Sequence, residues 1–479
     1  MRRKLMAIGM AVTLVGVACG DDDDGGGGED TAGSEGTAGA EGDEGDGEGD
    51  TITFWSSLVE PERVVIQNKI IEKFTAKTGI NVELVPVPED DLPNLMVTNA
   101  ASGDLPDVVH HPVEFGIGWA DQGILDVEAA AEVVESLGRD TFNEGALALA
   151  SVDDEPVTVP SDGWGQLLLY RTDLFEAAGL EPPDTYERIL AAAEALNGDG
   201  MNGITASTDP ADVFTQQTFE WLALGNGCQL TEGDEVALES PACVEAISTY
   251  AELIQEYSPG TVQNVDTTRA TYFAGEAAML IWSPFILDEL AGLRNDALPT
   301  CQECGDNERF LAENTGFVPT LTGSAETDPA QYGAVAYFGI GNGGNTEAAK
   351  QFVEFMLSDG YIDWLSIAPE GMFPMRTGTT DAPDSFVNDW QALEIGVDTR
   401  AKFGDIYSDE VADTLINGTS NFGRWGFEDG QGALVSSVYT SLLVPQTLSA
   451  VLNEGLSPED AAARMQSEAA EQLEEVGGG

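Results

Sequence analysis

Basic side chains are scarce in this chain. Its 479 residues carry 19 lysines and arginines against 85 aspartates and glutamates, a formal net charge of −66. So negative a chain repels phosphate backbones, which excludes nucleic acid as a partner. Histidine is rarer still, with His110 and His111 the only two. Adjacent residues of a strand point to opposite faces, so this pair cannot chelate one ion, and no transition-metal site is expected. Long apolar runs are also missing. The one candidate, Leu5 to Ala18, is too short to span a bilayer as a mature helix. No G-x-S-x-G, H-E-x-x-H or phosphate-loop pattern occurs, which removes the common signatures of esterases, zinc proteases and nucleotide hydrolases.

What is present begins with a leader. Arg2, Arg3 and Lys4 precede the apolar run LMAIGMAVTLVGVA, so residues 1–18 read as a signal peptide. Cys19 follows the small residue Ala18 and resembles the lipobox of secreted lipoproteins, a resemblance that implies cleavage before Cys19 and its acylation. Residues 20–50, GDDDDGGGGEDTAGSEGTAGAEGDEGDGEGD, hold acids and glycines but no base and no large apolar side chain. Such a segment cannot bury enough surface to offset chain entropy, so 19–50 is expected to be a lipidated, self-repelling tether. The acid excess of the remainder fits salty surroundings, where screening removes its repulsion. Four further cysteines, Cys228, Cys243, Cys301 and Cys304, form an even set in an exported chain. Two disulfides are expected, local pairing being the simplest of three connectivities. The segment around CQEC has neither a thioredoxin-like strand and helix nor further zinc ligands.

The rest exceeds one ordinary core, so two domains are expected. TITFW reads as a strand, Pro61 opens a helix that Gly79 closes, and INVELVPV alternates like a half-buried strand. Helices are predicted near 90–101, 128–136 and 140–150, with a strand in DVVHH. Asp184 and Glu187 suggest a capping box for the helix TYERILAAAEALNG. The tail beyond 405 is mostly helical, its last helix capped by Ser457. Strands alternating with helices argue for α/β architecture.

The succession ITFWSS, KFTAKTGINVELV, GDLPDVV, WADQGILDV, VPSDGWGQLLLYRTDLFEAAGLEPPDTYERIL and FAGEAAMLIW resembles the family 1 extracellular solute-binding proteins of ABC transporters, the sugar-binding group that includes maltose-binding protein. The resemblance covers nearly all of 51–479. It implies a type II periplasmic-binding-protein-like fold, two α/β lobes with a hinge and an interlobe cleft. Lobe 1 would be 51–158 with 280–330 and lobe 2 159–279 with 331–479, the chain crossing near VTVP, AAMLIW and YGAVAYFGI. It further implies a monomeric lipoprotein on the extracellular face of the membrane, without cofactor or catalytic activity, that passes a small-molecule sugar to ABC transporter permease subunits.

Sugars need planar aromatics against their C–H faces and polar groups against their hydroxyls. By motif position the cleft candidates are Ser57, His111 and Glu114 in one lobe and Asp162, Trp164, Gln216 and Phe219 in the other, with Trp282, Arg376 and Trp425 beyond. Trp164 lies between two glycines, which favours exposure. Trp282 reads equally well as core, Arg376 equally well as part of a buried ion pair, and Asp107 as a turn cap. The loop NGDGMNG, 197–203, offers oxygen donors but lacks the closing glutamate of an EF-hand, and reads as a glycine turn. GIGNGG, 339–344, fits G-x-G-x-x-G but is not followed by a strand ending in an acid some twenty residues on. Two alternatives stay open: a tethered carbohydrate hydrolase, since paired carboxylates abound, and a receptor for a polyol or a glycerol phosphate.

Overall fold

Alternation decides the first strand. In β1 (Thr51–Ser56) the side chains of Ile52, Phe54 and Ser56 are buried while those between are not. Pro61 occupies the first turn of the helix Pro61–Thr78, and Gly79 ends it at φ 80°, its N–H reaching Thr75 O. The chain returns as β2 (Asn81–Pro86), parallel to β1. β3 (Val108–Pro112) joins the other side of β1, also parallel. The computed structural model describes residues 50–324, 327–427 and 429–477. The signal peptide, Cys19 and the tether up to residue 49 lie outside them.

Two sheets organise these residues. β4 (Val159–Gly165) and β8 (Gln331–Ile340) run antiparallel, and β8 also pairs antiparallel with β3. With β9 (Phe373–Pro374) at the far edge, the larger sheet has the order β9-β4-β8-β3-β1-β2, and β10 (Phe422–Gly423) lies beside the start of β8. The smaller sheet, order β6-β5-β7, is built from β5 (Leu167–Arg171), β6 (Met279–Trp282) and β7 (Thr315–Val318). Gln166 alone separates β4 from β5. Its N–H donates to Tyr332 O at 3.0 Å, and its carbonyl accepts from Gln331 Nε2 at 3.0 Å. The chain thus steps from one sheet to the other while still bonded to β8.

The sheets cut across the lobe boundaries expected from the sequence. β8 and β9, assigned with 331–479 to the second lobe, belong to the sheet of β1–β3. β7, assigned with 280–330 to the first, pairs with β5. Both strands are almost wholly buried, and a strand covered on both faces carries no alternation to show which sheet it joins. The helix Thr346–Met356 follows β8 and buries Phe352 against Phe54 and Phe74, with ring centroids 5.2 and 5.1 Å away.

Local chemistry explains several boundaries. The helix Tyr186–Leu196 is capped by Thr185, whose hydroxyl accepts from Arg188 N at 3.2 Å, not by the expected Asp184 and Glu187 box. Asp184 pairs with the Arg188 side chain instead. Ser457 does cap the final helix, accepting from Asp460 N at 3.1 Å. Cys228 meets Cys243, and Cys301 meets Cys304, at disulfide distance. Two glycines of GIGNGG serve packing: a Cβ at Gly341 would lie 2.0 Å from Pro106 O, and one at Gly344 2.5 Å from Asp107 Oδ1. The Asp107 carboxylate occupies the helix entrance where a dinucleotide phosphate would sit, accepting from Asn345 N and from Thr53 N, both at 2.7 Å. In the 197–203 loop, Asn197 and Asn202 direct their amide donors to the carbonyls of Glu256 and Glu276.

The crossing allows no side chain at Gly165, where a Cβ would come within 2.3 Å of Gln331 Nε2 and 2.7 Å of the Phe422 ring. Gly165→Ala is expected to lower stability by about 1–3 kcal/mol, the usual cost of overpacking. Gly423→Ala, with nothing within 4 Å of its Cβ, should change it little. Urea unfolding of the two variants makes the comparison; equal stability would mean the crossing relaxes freely.

Candidate functional site

Residues two apart on a strand share a face. On β4 these are Asp162 and Trp164, and on β8 Tyr332, Ala334 and Ala336, and all five line one cavity of about 280 Å³. Ser57 and Arg63 from the segment after β1, His110 at the end of β3, and Glu114 on the helix Val113–Asp121 form one wall. Gln217, from the helix Val213–Leu224, and Phe285, just after β6, come from the chain that builds the smaller sheet. Trp164 is partly exposed, its ring 6.1 Å from Tyr332 and 6.2 Å from Phe285, so three aromatics meet there. Opposite Phe285 the chain turns at Gly371, where a Cβ would strike the phenyl ring at 2.0 Å.

A bulge sets Asp162. Opposite Ala336 and Tyr337, β4 holds one residue too many, Ser161, and the register shifts there. Asp162 Oδ1 accepts from Trp364 Nε1 at 2.7 Å and from Ser161 Oγ at 2.8 Å. His110 lies between Ser57 Oγ, 3.0 Å from Nδ1, and Asp162 Oδ1, 3.7 Å from Nε2.

Behind Glu114 is a buried charge network. Arg424 Nη1 donates to Glu114 Oε1 at 2.9 Å and its Nε to Glu220 Oε1 at 3.2 Å, and the guanidinium lies 4.4 Å over the Tyr332 ring. Arg424 and Glu220 have no exposed side-chain surface. Trp425 N and Tyr439 Oη complete the shell of Glu220, at 2.9 and 2.8 Å. The network joins the helices Val113–Asp121 and Val213–Leu224, which both pack on β8.

Of the residues predicted from sequence, Ser57, Glu114, Asp162 and Trp164 line the cavity. Six do not. His111 is fully buried, bonded to Pro112 O at 2.8 Å and Thr158 Oγ1 at 3.0 Å, and burial pushes its imidazole down to about 3. Its neighbour His110 takes the place expected for it, one residue out of phase. Gln216 is buried while Gln217, a step further round the helix, reaches the cavity. Phe219 packs in the core between Tyr250 and Trp425, and Trp425 donates its Nε1 proton to Cys228 O at 2.8 Å. Trp282 packs on Phe214 beneath Arg269. Arg376 closes two helix ends, donating to Leu137 O and Leu357 O at 2.6 Å each, where a cation meets the negative ends of the dipoles. Tyr332 and Phe285 were not anticipated. Gly371 was the available signal for Phe285, being a residue that admits a ring.

Residues 61–362 match the profile of the bacterial extracellular solute-binding proteins, and the chain belongs to that family. Among its relatives is YcjN of Escherichia coli (strain K12), a candidate periplasmic-binding protein of an ABC transporter, 28% identical over 413 residues that cover 84% of this chain and 90% of that one. The sugar-binding protein MalE of Xanthomonas citri superposes with a TM-score of 0.68 at 17% identity, covering 89% of this chain and 98% of that one. The cyclic α-maltosyl-1,6-maltose binding protein of Arthrobacter globiformis superposes with a TM-score of 0.67 at 18% identity, covering 89% and 99%. The fold is therefore the α/β two-lobe fold of periplasmic binding proteins, and the chain is an exported solute-binding protein of the ABC transporter class.

Two outcomes follow from the charges around the cavity. Arg424→Met should cost about 3–5 kcal/mol, because it strands the buried Glu220; urea unfolding measures it, and a loss below about 1 kcal/mol would show the network to be dispensable. Glu370, in the turn between cavity residues Ala368 and Gly371, is raised from its ordinary 4.5 to about 7 by burial and then by the nearby Asp288, against the pull of Arg63 and Arg400. Between those values the folded chain keeps a proton that the unfolded chain has released, so this group lowers stability as pH rises through the window. Glu370→Gln should gain thermal stability over the parent from pH 4.5 to 7. A difference that does not vary with pH would refute the assignment.

Proposed function

We propose that the protein captures a carbohydrate in this cavity and delivers it to the permease of an ABC transporter, held at the outer face of the membrane by a lipid on Cys19. The observation that carries the reading is the union of a partly exposed Trp164 beside Tyr332 and Phe285 with the polar groups of Ser57, Glu114, Asp162 and Gln217. Flat aromatics suit the C–H faces of a sugar ring, and amide and carboxylate oxygens suit its hydroxyls. The volume of about 280 Å³ is at the small end for ligand pockets, which favours a mono- or disaccharide over the longer oligosaccharide expected from the sequence. Carboxylates outnumber bases in the lining, which works against a glycerol phosphate. Lobe closure about the β4–β8 crossing would bring Gln217 and Phe285 onto a ligand resting on the larger sheet.

Thermal unfolding of the full chain against mono- and disaccharides, polyols, glycerol phosphates and amino acids tests this. A true ligand at a hundred times its Kd adds about 2.7 kcal/mol of stability. Trp164→Ala should weaken sugar binding by about 1–3 kcal/mol, the scale of a buried aromatic contact, without unfolding the chain. Stabilisation by a non-sugar alone would overturn the carbohydrate reading, and release of new reducing ends from a bound oligosaccharide would favour a hydrolase.

A further inference from the structure

The cavity sets the donors of Ser57, Arg63, Trp164 and Gln217 beside carboxylates that are held in fixed orientation. Asp162 is only 6% exposed, yet it lines the cavity. Trp364 and Ser161 hold Oδ1, and no described residue donates to Oδ2, which is left for whatever enters. Glu114 repeats the arrangement: Oε1 is held by Arg424 and Oε2 receives no donor among the described residues. Arg63 is the one lysine or arginine in the described lining and lies 3.3 Å from Glu60, while His110 stands between Ser57 and Asp162. Arg424 cannot balance the excess, because it is shared with Glu220. Beside these acceptors stand the rings of Trp164 and Tyr332.

From this arrangement we propose that the preferred ligand is a saccharide bearing a primary ammonium group, an amino sugar, in place of a neutral sugar. The proposal rests on the carbohydrate reading above and narrows it. A hydroxyl offers one donor, whereas an ammonium offers three, each forming a charge-assisted bond about twice as strong as a neutral one. It also gains from an aromatic face within reach. Asp162 is suited to the role because its orientation is fixed before ligand arrives: the bulge aims it and the Trp364 indole clamps one oxygen. The chain's net charge of −66 draws cations toward the surface and repels anions, which acts on the rate of capture in the same direction.

The test is calorimetric titration of the full chain, in a mildly acidic buffer that keeps the amines protonated. The probes are matched pairs: glucosamine and glucose, galactosamine and galactose, and fully deacetylated chitobiose and cellobiose, each amine also in its N-acetyl form. We expect at least one amine to bind about tenfold or more tightly than both its neutral partner and its N-acetyl form. That advantage should vanish in Asp162→Asn, whose carbonyl can still accept from Trp364, and should shrink in Glu114→Gln, which also serves if the first variant misfolds. Neutral or N-acetyl sugars binding as well as the amines would overturn the proposal and leave the carbohydrate reading standing. Failure of every probe, with a non-sugar solute binding instead, would remove both. An amine preference that survives in both variants would also overturn it.

Discussion

Two strands do what no single domain could. β4 and β8 pair antiparallel through the middle of the molecule, and one residue past the end of β4 the chain is already in the other sheet. Cavity and crossing share the same backbone. Asp162 and Trp164 of β4 and Tyr332, Ala334 and Ala336 of β8 line the cavity floor, while the far end of β4 leads into the other sheet. The bulge at Ser161 lies in this pair, so a local irregularity of the crossing is also what points Asp162 at a ligand. A change at the crossing is therefore felt at the floor.

The few cations are distributed in keeping with this plan. Arg424 ties Glu114 to Glu220 between two helices, Arg376 closes two helix ends, and Arg171, at the end of β5, grips Asp173 with two bonds of 2.7 Å. Each is nearly inaccessible to water. Arginine is suited to such places because its planar, always-charged fork satisfies several acceptors at once. Exposed lysines such as Lys73 and Lys77 merely meet surface acids, where pairs contribute little. The three buried cations are all arginines, and the other bases are too few to offset the acids, leaving a net charge of −66.

How much of this was legible in the sequence follows from where alternation survives. β1 is buried on one face and reads cleanly. In β3, His110 and His111 are both buried, so composition could not tell which faces the cavity. The same holds for Gln216 and Gln217 on a helix buried nearly all round. Trp164 was legible because its flanking glycines favoured exposure, although in the structure they answer to crowding: a Cβ at Gly163 would lie 2.9 Å from Ala334 O, and at Gly165 the strand meets β10. Arg376 and Trp425 failed as cleft residues because a buried arginine or tryptophan at a turn has the same local sequence as an exposed one. That β7 pairs with β5 and β8 with β3 was invisible for a related reason, since fully covered strands carry no label for their sheet.

The Asp107 junction has a consequence for how the chain is made. Its carboxylate joins Thr53, 54 residues before it, to Asn345, 238 residues after it, and β8 is inserted between β3 and β4. The first hundred-odd residues to emerge during synthesis therefore lack the central strand of their own sheet. Until residue 345 is available, β3 has an open edge and the helix entrance that Asp107 fills does not exist. Contacts so distant in sequence close slowly, because loop entropy must be met before any contact forms. The larger sheet can therefore close only when almost three-quarters of the chain has been made.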